Sequence, residues 1–139
     1  MNQQHFTTTA IHAGEIHDAQ GAHIAPIYQT STFTFADMAA VEAHASGEDG
    51  SYIYSRGGHP NRAALAAKLA ALEGYQLIRE ARAASNTGPV VGAEIFSSGM
   101  AAASAALLGL AQAGDHIITQ GALYGSADHL IAEILPQYG

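Results

Sequence analysis

Between Pro60 and Gly74 the apolar positions Leu65, Leu69 and Leu72 recur at i, i+4 and i+7. One face of a 3.6-residue repeat is therefore leucine, and the spacing predicts a helix over 61–73. Pro60 sits at the plausible first helical position and Gly74 supplies a stop. A different pattern follows in VVGAEIF, Val90 to Phe96, an apolar, partly β-branched run bounded by Pro89 and the turn residues Ser97, Ser98 and Gly99. That reads as a strand. The Ala/Leu-rich stretch from Gly99 to Gln112 reads as a helix ending at Ala113-Gly114-Asp115, and HIITQ at 116–120 as a second short strand. Ser126 then has the chemistry to cap a helix reaching Leu135, with Pro136 stopping it. Between the two better-defined parts, YQLIREARAA at 75–84 is compatible with a helix and SNTGP at 85–89 is a loop by its turn residues. Before Arg56 neither period is sustained, and one short helix over 37–45 is the only element predicted there.

Strand, helix, strand, helix is the order of a parallel sheet with crossover helices, which places the second half in the α/β class. Two strands are too few for a sheet buried on both faces. The chain thus reads as an N-terminal arm over 1–60 and the incomplete beginning of a large, mostly parallel-sheet domain over 61–139. The arm is rich in aromatic and hydroxyl side chains (Tyr28, Phe33, Phe35, Tyr52, Tyr54; TTT, QTSTFT), which suits a segment lying on another surface better than a disordered tail.

Composition narrows the function classes. Of 139 residues 48% are hydrophobic and only 12% charged, against about 25% in ordinary soluble domains. Apolar material is ample, and the low charge suits a piece partly covered by other protein. The net charge of −7 has five cations to set against it, Arg56, Arg62, Lys68, Arg79 and Arg82. They form no basic stripe, so nucleic acid is not an expected partner. Cysteine is absent, which removes thiolate metal sites and disulfides. There is no basic start followed by an apolar leader, and no apolar run of 18 residues, so neither secretion nor a membrane is expected and a cytoplasmic location is the default.

Three stretches carry candidate chemistry. FSSGMAA, Phe96 to Ala102, joins the first strand to its helix. A helix start at the carboxyl edge of a sheet offers unpaired amides and the positive end of the helix dipole, and Gly99 with Ser97 or Ser98 suits a single phosphate. A plain serine N-cap would look the same. No GxGxxG and no Walker lysine is present, which disfavours a dinucleotide or a nucleoside triphosphate. In YIYSRGGHP, Arg56 stands beside Tyr54, a bidentate donor and a phenol that both suit a phosphate; a solvated arginine is the plainer alternative. In LYGS, Tyr124 follows the second strand on the same sheet edge, where a ring could stack on a heterocycle or simply be half-buried. The histidines His12, His17 and His23 follow no metal-ligand spacing, and no metal is expected.

Taken in order, IHAG, GAHIAPIYQTSTF, YIYSR, LAALEG, FSSGMAA, GDHII and LYG closely resemble the N-terminal part of the Cys/Met-metabolism family of pyridoxal-phosphate enzymes, from about Thr8 to Gly139. That resemblance implies the type I pyridoxal-phosphate fold, with pyridoxal 5′-phosphate as cofactor and a sulfur amino acid or activated homoserine as small-molecule substrate. The family pattern implies that the backbone at Gly99 and Met100, with Ser98, holds the cofactor phosphate. Tyr54 and Arg56 would reach the phosphate of a neighbouring subunit, which requires at least a dimer. Tyr124 would stack on the pyridine ring and assist proton movement, the one catalytic residue expected within the segment. The lysine that carries the cofactor as a Schiff base, the carboxylate at the pyridine nitrogen and the arginine for the substrate carboxylate match nothing here; Lys68, the only lysine, lies in the predicted helix. The chain therefore reads as an N-terminal fragment, inactive alone, of an enzyme of replacement or elimination chemistry. The alternative is a truncated, non-catalytic dimerisation module derived from one. Two departures stand out. Where the family usually reads Asn-Pro-Thr after the YSR element, this chain has His59-Pro60-Asn61, and the stretch between LEG and FSSG is longer than common.

Overall fold

The computed structural model describes residues 5–48, 50–84 and 91–139. The chain divides into two units, Met1–Ala93 and Glu94–Gly139.

In the first unit α1 (Phe6–His12), α2 (Met38–Ser46), α3 (Pro60–Glu73) and α4 (Tyr75–Ala83) follow one another, and both α1 and α4 pack on α3. The leucine repeat and Pro60 produce α3 as expected. Helix α1 was not expected, because three consecutive threonines are poor helix formers and seven residues cannot sustain a helix alone. Tertiary contacts hold it. The Phe6 ring meets Tyr75 edge-on with centroids 5.2 Å apart, and Lys68 Nζ on α3 donates to the Ile11 carbonyl at 2.9 Å. Gly14 then turns the chain at φ 72°, so close to α3 that a Cβ there would run into the Ala64 carbonyl oxygen. Helix α2 matches its expected range within a residue. Asp37 caps it by accepting the Ala40 amide at 2.9 Å, and Gly47 ends it in the left-handed region.

Gly74 ends α3 for a different reason from the one the sequence suggests. Its φ is −82°, open to any residue, but a Cβ would lie 2.7 Å from Val91 Cγ2 and 2.8 Å from the Ala70 carbonyl oxygen. Close packing excludes a side chain there. The chain continues at once into α4, confirming the helical reading of 75–84; the SNTGP loop lies outside the described residues.

The arm folds back on itself and on α3. Phe33 N–H donates to Ile53 O at 3.0 Å and Ser55 N–H to Ser31 O at 2.8 Å, pairing Thr32 with Tyr54 as one antiparallel bridge. Phe33 packs near Tyr52 and His59, with centroids 5.6 and 6.0 Å apart.

In the second unit α5 (Gly99–Leu110) stops two residues before the expected end, and α6 (Gly125–His129) packs against it. Two expectations are corrected here. Ser126 lies inside α6 rather than capping it, since Tyr124 holds the N-cap position. Pro136 does not stop the helix: α6 widens into a π-helical turn over Leu130–Ile134 and tightens into a 3₁₀ turn over Leu135–Tyr138. Pro136 occupies the start of that last turn, where its missing N–H removes no bond.

The expected parallel sheet is absent from the described residues, whose only β pairing is the Thr32–Tyr54 bridge. Residues 91–96 and 116–120, read as strands, form no ladder; Val90 lies outside the described residues. A strand exists through its neighbours' hydrogen bonds, and these two segments do not supply them to each other. The packing agrees. Leu130, 8% exposed, is the one buried hydrophobic side chain among the described residues, while Ile118 is 96% exposed. Among the described residues Ile24, Ile27 and Leu110 are also 81%, 82% and 85% exposed.

Candidate functional site

The start of α5 is built by its N-cap. Ser98, in an extended conformation, accepts the Ala101 amide on its Oγ at 3.1 Å and the Ala102 amide on its carbonyl at 3.1 Å. The first of these satisfies one of the four free amides at a helix start, and the second is the first regular bond of the helix. The N–H groups of Gly99 and Met100 keep no partner among the described residues. Gly99 is exposed, and nothing lies within 4 Å of where its Cβ would be. Two adjacent free amides at the positive end of a twelve-residue helix suit phosphate oxygens. Ser98 is a genuine cap, and its hydroxyl still has a proton to donate, so the capping and anion-binding readings are compatible.

Tyr124 opens α6. Its carbonyl accepts the amides of Ala127 and Asp128 at 2.8 and 3.0 Å, while its ring is 72% exposed. The phenol has no hydrogen-bond partner among the described residues. An unshielded ring of this kind can take a stacking partner on its face.

Tyr54 and Arg56 belong to the first unit, on a tight turn closed by Gly57 N–H and Gly58 N–H donating to Tyr54 O at 3.0 and 3.1 Å. The Arg56 guanidinium carbon lies 5.5 Å from the Tyr54 ring centroid, a cation–π arrangement, and both side chains are exposed. No carboxylate pairs with Arg56 among the described residues. Its positive charge is left available to an anion.

Sequence reading missed the frame around this turn. From the first turn of α3, Asn61 Nδ2 donates to Pro26 O at 2.7 Å and Asn61 Oδ1 accepts the Tyr28 amide at 2.9 Å. His59 Nε2 lies 3.0 Å from Tyr28 O, which fixes that nitrogen as the donor. Arg62 donates to Gly57 O at 2.9 Å and, more weakly, to Arg56 O at 3.4 Å. The signal was present in HPNR, three side chains with hydrogen-bonding ends around a helix-starting proline.

The structure thus places Ser98, Gly99 and Met100 at the start of α5 and Tyr54 with Arg56 on the tight turn before α3. Lys68 is engaged with α1 and stands at neither. Within the second unit the Gly99 and Met100 amides and the Ser98 hydroxyl proton are donors suited to an anion, and within the first unit the Arg56 guanidinium beside the Tyr54 ring is another.

The backbone has a solved counterpart in that chemical class. It is similar, at a TM-score of 0.77 and 28% identity over 98% of this chain, to 30% of a crystal structure from Campylobacter jejuni assigned as an O-acetylhomoserine (thiol)-lyase and carrying a pyridoxyl-lysine 5′-monophosphate. At the level of sequence, residues 7–139 match the family described as Cys/Met metabolism PLP-dependent enzyme, and the chain belongs to that family. Its relatives include an L-methionine gamma-lyase of Porphyromonas gingivalis, 40% identical over 96% of this chain and 30% of the relative. An O-acetyl-L-homoserine sulfhydrylase of Corynebacterium glutamicum is 38% identical over 99% of this chain and 28% of the relative. The chain spans about 30% of the length of these relatives, and pyridoxal 5′-phosphate is the cofactor of the family. No helix among the described residues is long and apolar enough to cross a membrane.

Proposed function

We propose that this chain is the N-terminal arm and the beginning of the cofactor domain of a cytoplasmic pyridoxal-phosphate enzyme with the type I fold. Its reaction would be replacement or elimination at a carbon–sulfur or carbon–oxygen bond in the side chain of a cysteine- or homoserine-type amino acid. The observation that carries the reading is the start of α5, where the Gly99 and Met100 amides are free above an intact Ser98 cap, within a chain whose relatives are named for this chemistry.

When bound, the cofactor supplies an electron-accepting pyridinium ring that stabilises negative charge at the substrate Cα. The residues of this chain bind and orient. Gly99 and Met100 donate their amides to the phosphate, and Ser98 adds its hydroxyl proton while still capping α5. Tyr124 lays its ring against the pyridine face, and its phenol carries a proton to or from the substrate side chain. Tyr54 and Arg56 donate to the phosphate bound by a partner subunit, which makes the enzyme at least a homodimer with shared sites. That arrangement would explain why an arginine without a carboxylate partner among the described residues stands beside the exposed Tyr54 ring on the arm. It also supplies the surface that the open apolar faces require. The lysine that carries the cofactor lies in the longer protein outside this segment, so residues 1–139 alone are inactive.

The test is borohydride reduction of the native protein, purified from its source and saturated with pyridoxal phosphate, followed by peptide mass spectrometry. A pyridoxyl group on a lysine outside residues 1–139 is expected. Label confined to Lys68, or no label, would overturn the proposal.

A further inference from the structure

The three polar residues around Pro60 form one device. Asn61 presents an acceptor and a donor to Tyr28 N–H and Pro26 O, as the edge of a neighbouring strand would. His59 adds a third bond to the same short stretch. From there the chain runs to Ser31–Phe33, which pairs with Ile53–Ser55 and leads directly into Arg56. At the far end Arg62, one residue after Asn61, holds the carbonyls of Gly57 and Arg56. The first turn of α3 therefore grips the arm on both sides of the Tyr54–Arg56 turn. Among the described residues Arg56 has no side-chain anchor besides the Tyr54 ring, so its direction is set by its backbone.

We infer that His59, Asn61 and Arg62 are positioning residues that preset Arg56 for the phosphate, with Asn61 the central one. This rests on the proposed role of Arg56 in binding the cofactor. A guanidinium on a long side chain delivers its full binding only when the backbone beneath it is already fixed, because otherwise ordering the turn is charged against each binding event. His-Pro-Asn is then an alternative solution to the same helix start: the amide that usually precedes the proline stands after it and faces the arm.

The experiment is a double-mutant cycle in the full-length enzyme, reading the apparent Kd of the apoenzyme for pyridoxal phosphate by absorbance titration and the Tm of each apoprotein. The variants are Arg56→Ala, Asn61→Leu, Asn61→Asp and each Asn61 variant combined with Arg56→Ala. Asn61→Asp keeps the acceptor for Tyr28 and loses the donor to Pro26, so it remains informative if the leucine variant folds poorly. Each Asn61 variant is expected to raise the Kd by roughly tenfold in the presence of Arg56 and to have little further effect in its absence. Equal effects in both backgrounds, or a fall in Tm with an unchanged Kd, would sink the inference while leaving the role of Arg56 intact. An unchanged Kd for Arg56→Ala alone would instead remove the reading on which the inference stands.

Discussion

Lys68 donates its ammonium to the backbone carbonyl of Ile11 at 2.9 Å, tying α3 to the C-terminal end of α1. The only lysine of the chain is thereby assigned a structural task. Lys68→Met in the full-length protein should keep the borohydride-trapped pyridoxyl group at its position. It should also lower stability by about 0.5–1.5 kcal/mol, the range for one hydrogen bond, at the low end because the pair is exposed. Loss of the label in this variant would show that Lys68, and not a lysine elsewhere, carries the cofactor.

Gly74 stands where α3 meets Val91. Gly74→Ala would place a methyl group within 2.7 Å of Val91 Cγ2 and 2.8 Å of the Ala70 carbonyl, and backbone cannot give way as a flexible side chain can. The expected loss is about 1–3 kcal/mol, the scale of overpacking. Thermal unfolding of the full-length variant checks it, and a Tm equal to that of the parent would mean that 91–93 does not pack as described.

What the sequence showed and what it hid divide along physical lines. Leu65, Leu69 and Leu72 announce α3 because a periodic face is a local property of the chain, and the short helix read over 37–45 appears as α2. Helix α1 was hidden because Thr7, Thr8 and Thr9 argue against it and its support, Tyr75 and Lys68, lies some sixty residues away. The segments 91–96 and 116–120 were legible as apolar runs, yet a strand needs a hydrogen-bonded neighbour, and among the described residues neither has one. At the other turn, Ser98, Gly99 and Met100 were legible as the start of a helix, which α5 bears out without the strand expected before it. Asn61 was not, since an asparagine in a first helical turn is ordinary until its two partners, Pro26 and Tyr28, are known.

Gly99 separates folding from binding. Nothing lies within 4 Å of its absent Cβ, and as the first residue of α5 it has an ordinary helical environment. Gly99→Ala should leave apoenzyme stability within about 1 kcal/mol of the parent, since alanine is the better helix former. A phosphate drawn up to the Gly99 and Met100 amides would meet the new methyl group. The apparent Kd for pyridoxal phosphate should therefore rise by about tenfold, equivalent to about 1.4 kcal/mol. An unchanged Kd would place the phosphate away from the start of α5.

Tyr124 separates binding from chemistry in the same way. Its ring and its phenol have different tasks in the proposed site, stacking for one and proton transfer for the other, and phenylalanine keeps the first while removing the second. The hydroxyl has no partner among the described residues, and the backbone of Tyr124, which accepts the Ala127 and Asp128 amides, is untouched by the exchange. Tyr124→Phe should therefore leave both the Tm and the cofactor Kd of the full-length enzyme unchanged, and lower kcat by about 10²-fold or more, as expected for loss of a general acid–base group. A fall in cofactor affinity with kcat preserved at saturation would assign the phenol to binding. The proton would then have to travel by a residue in the part of the enzyme outside this segment.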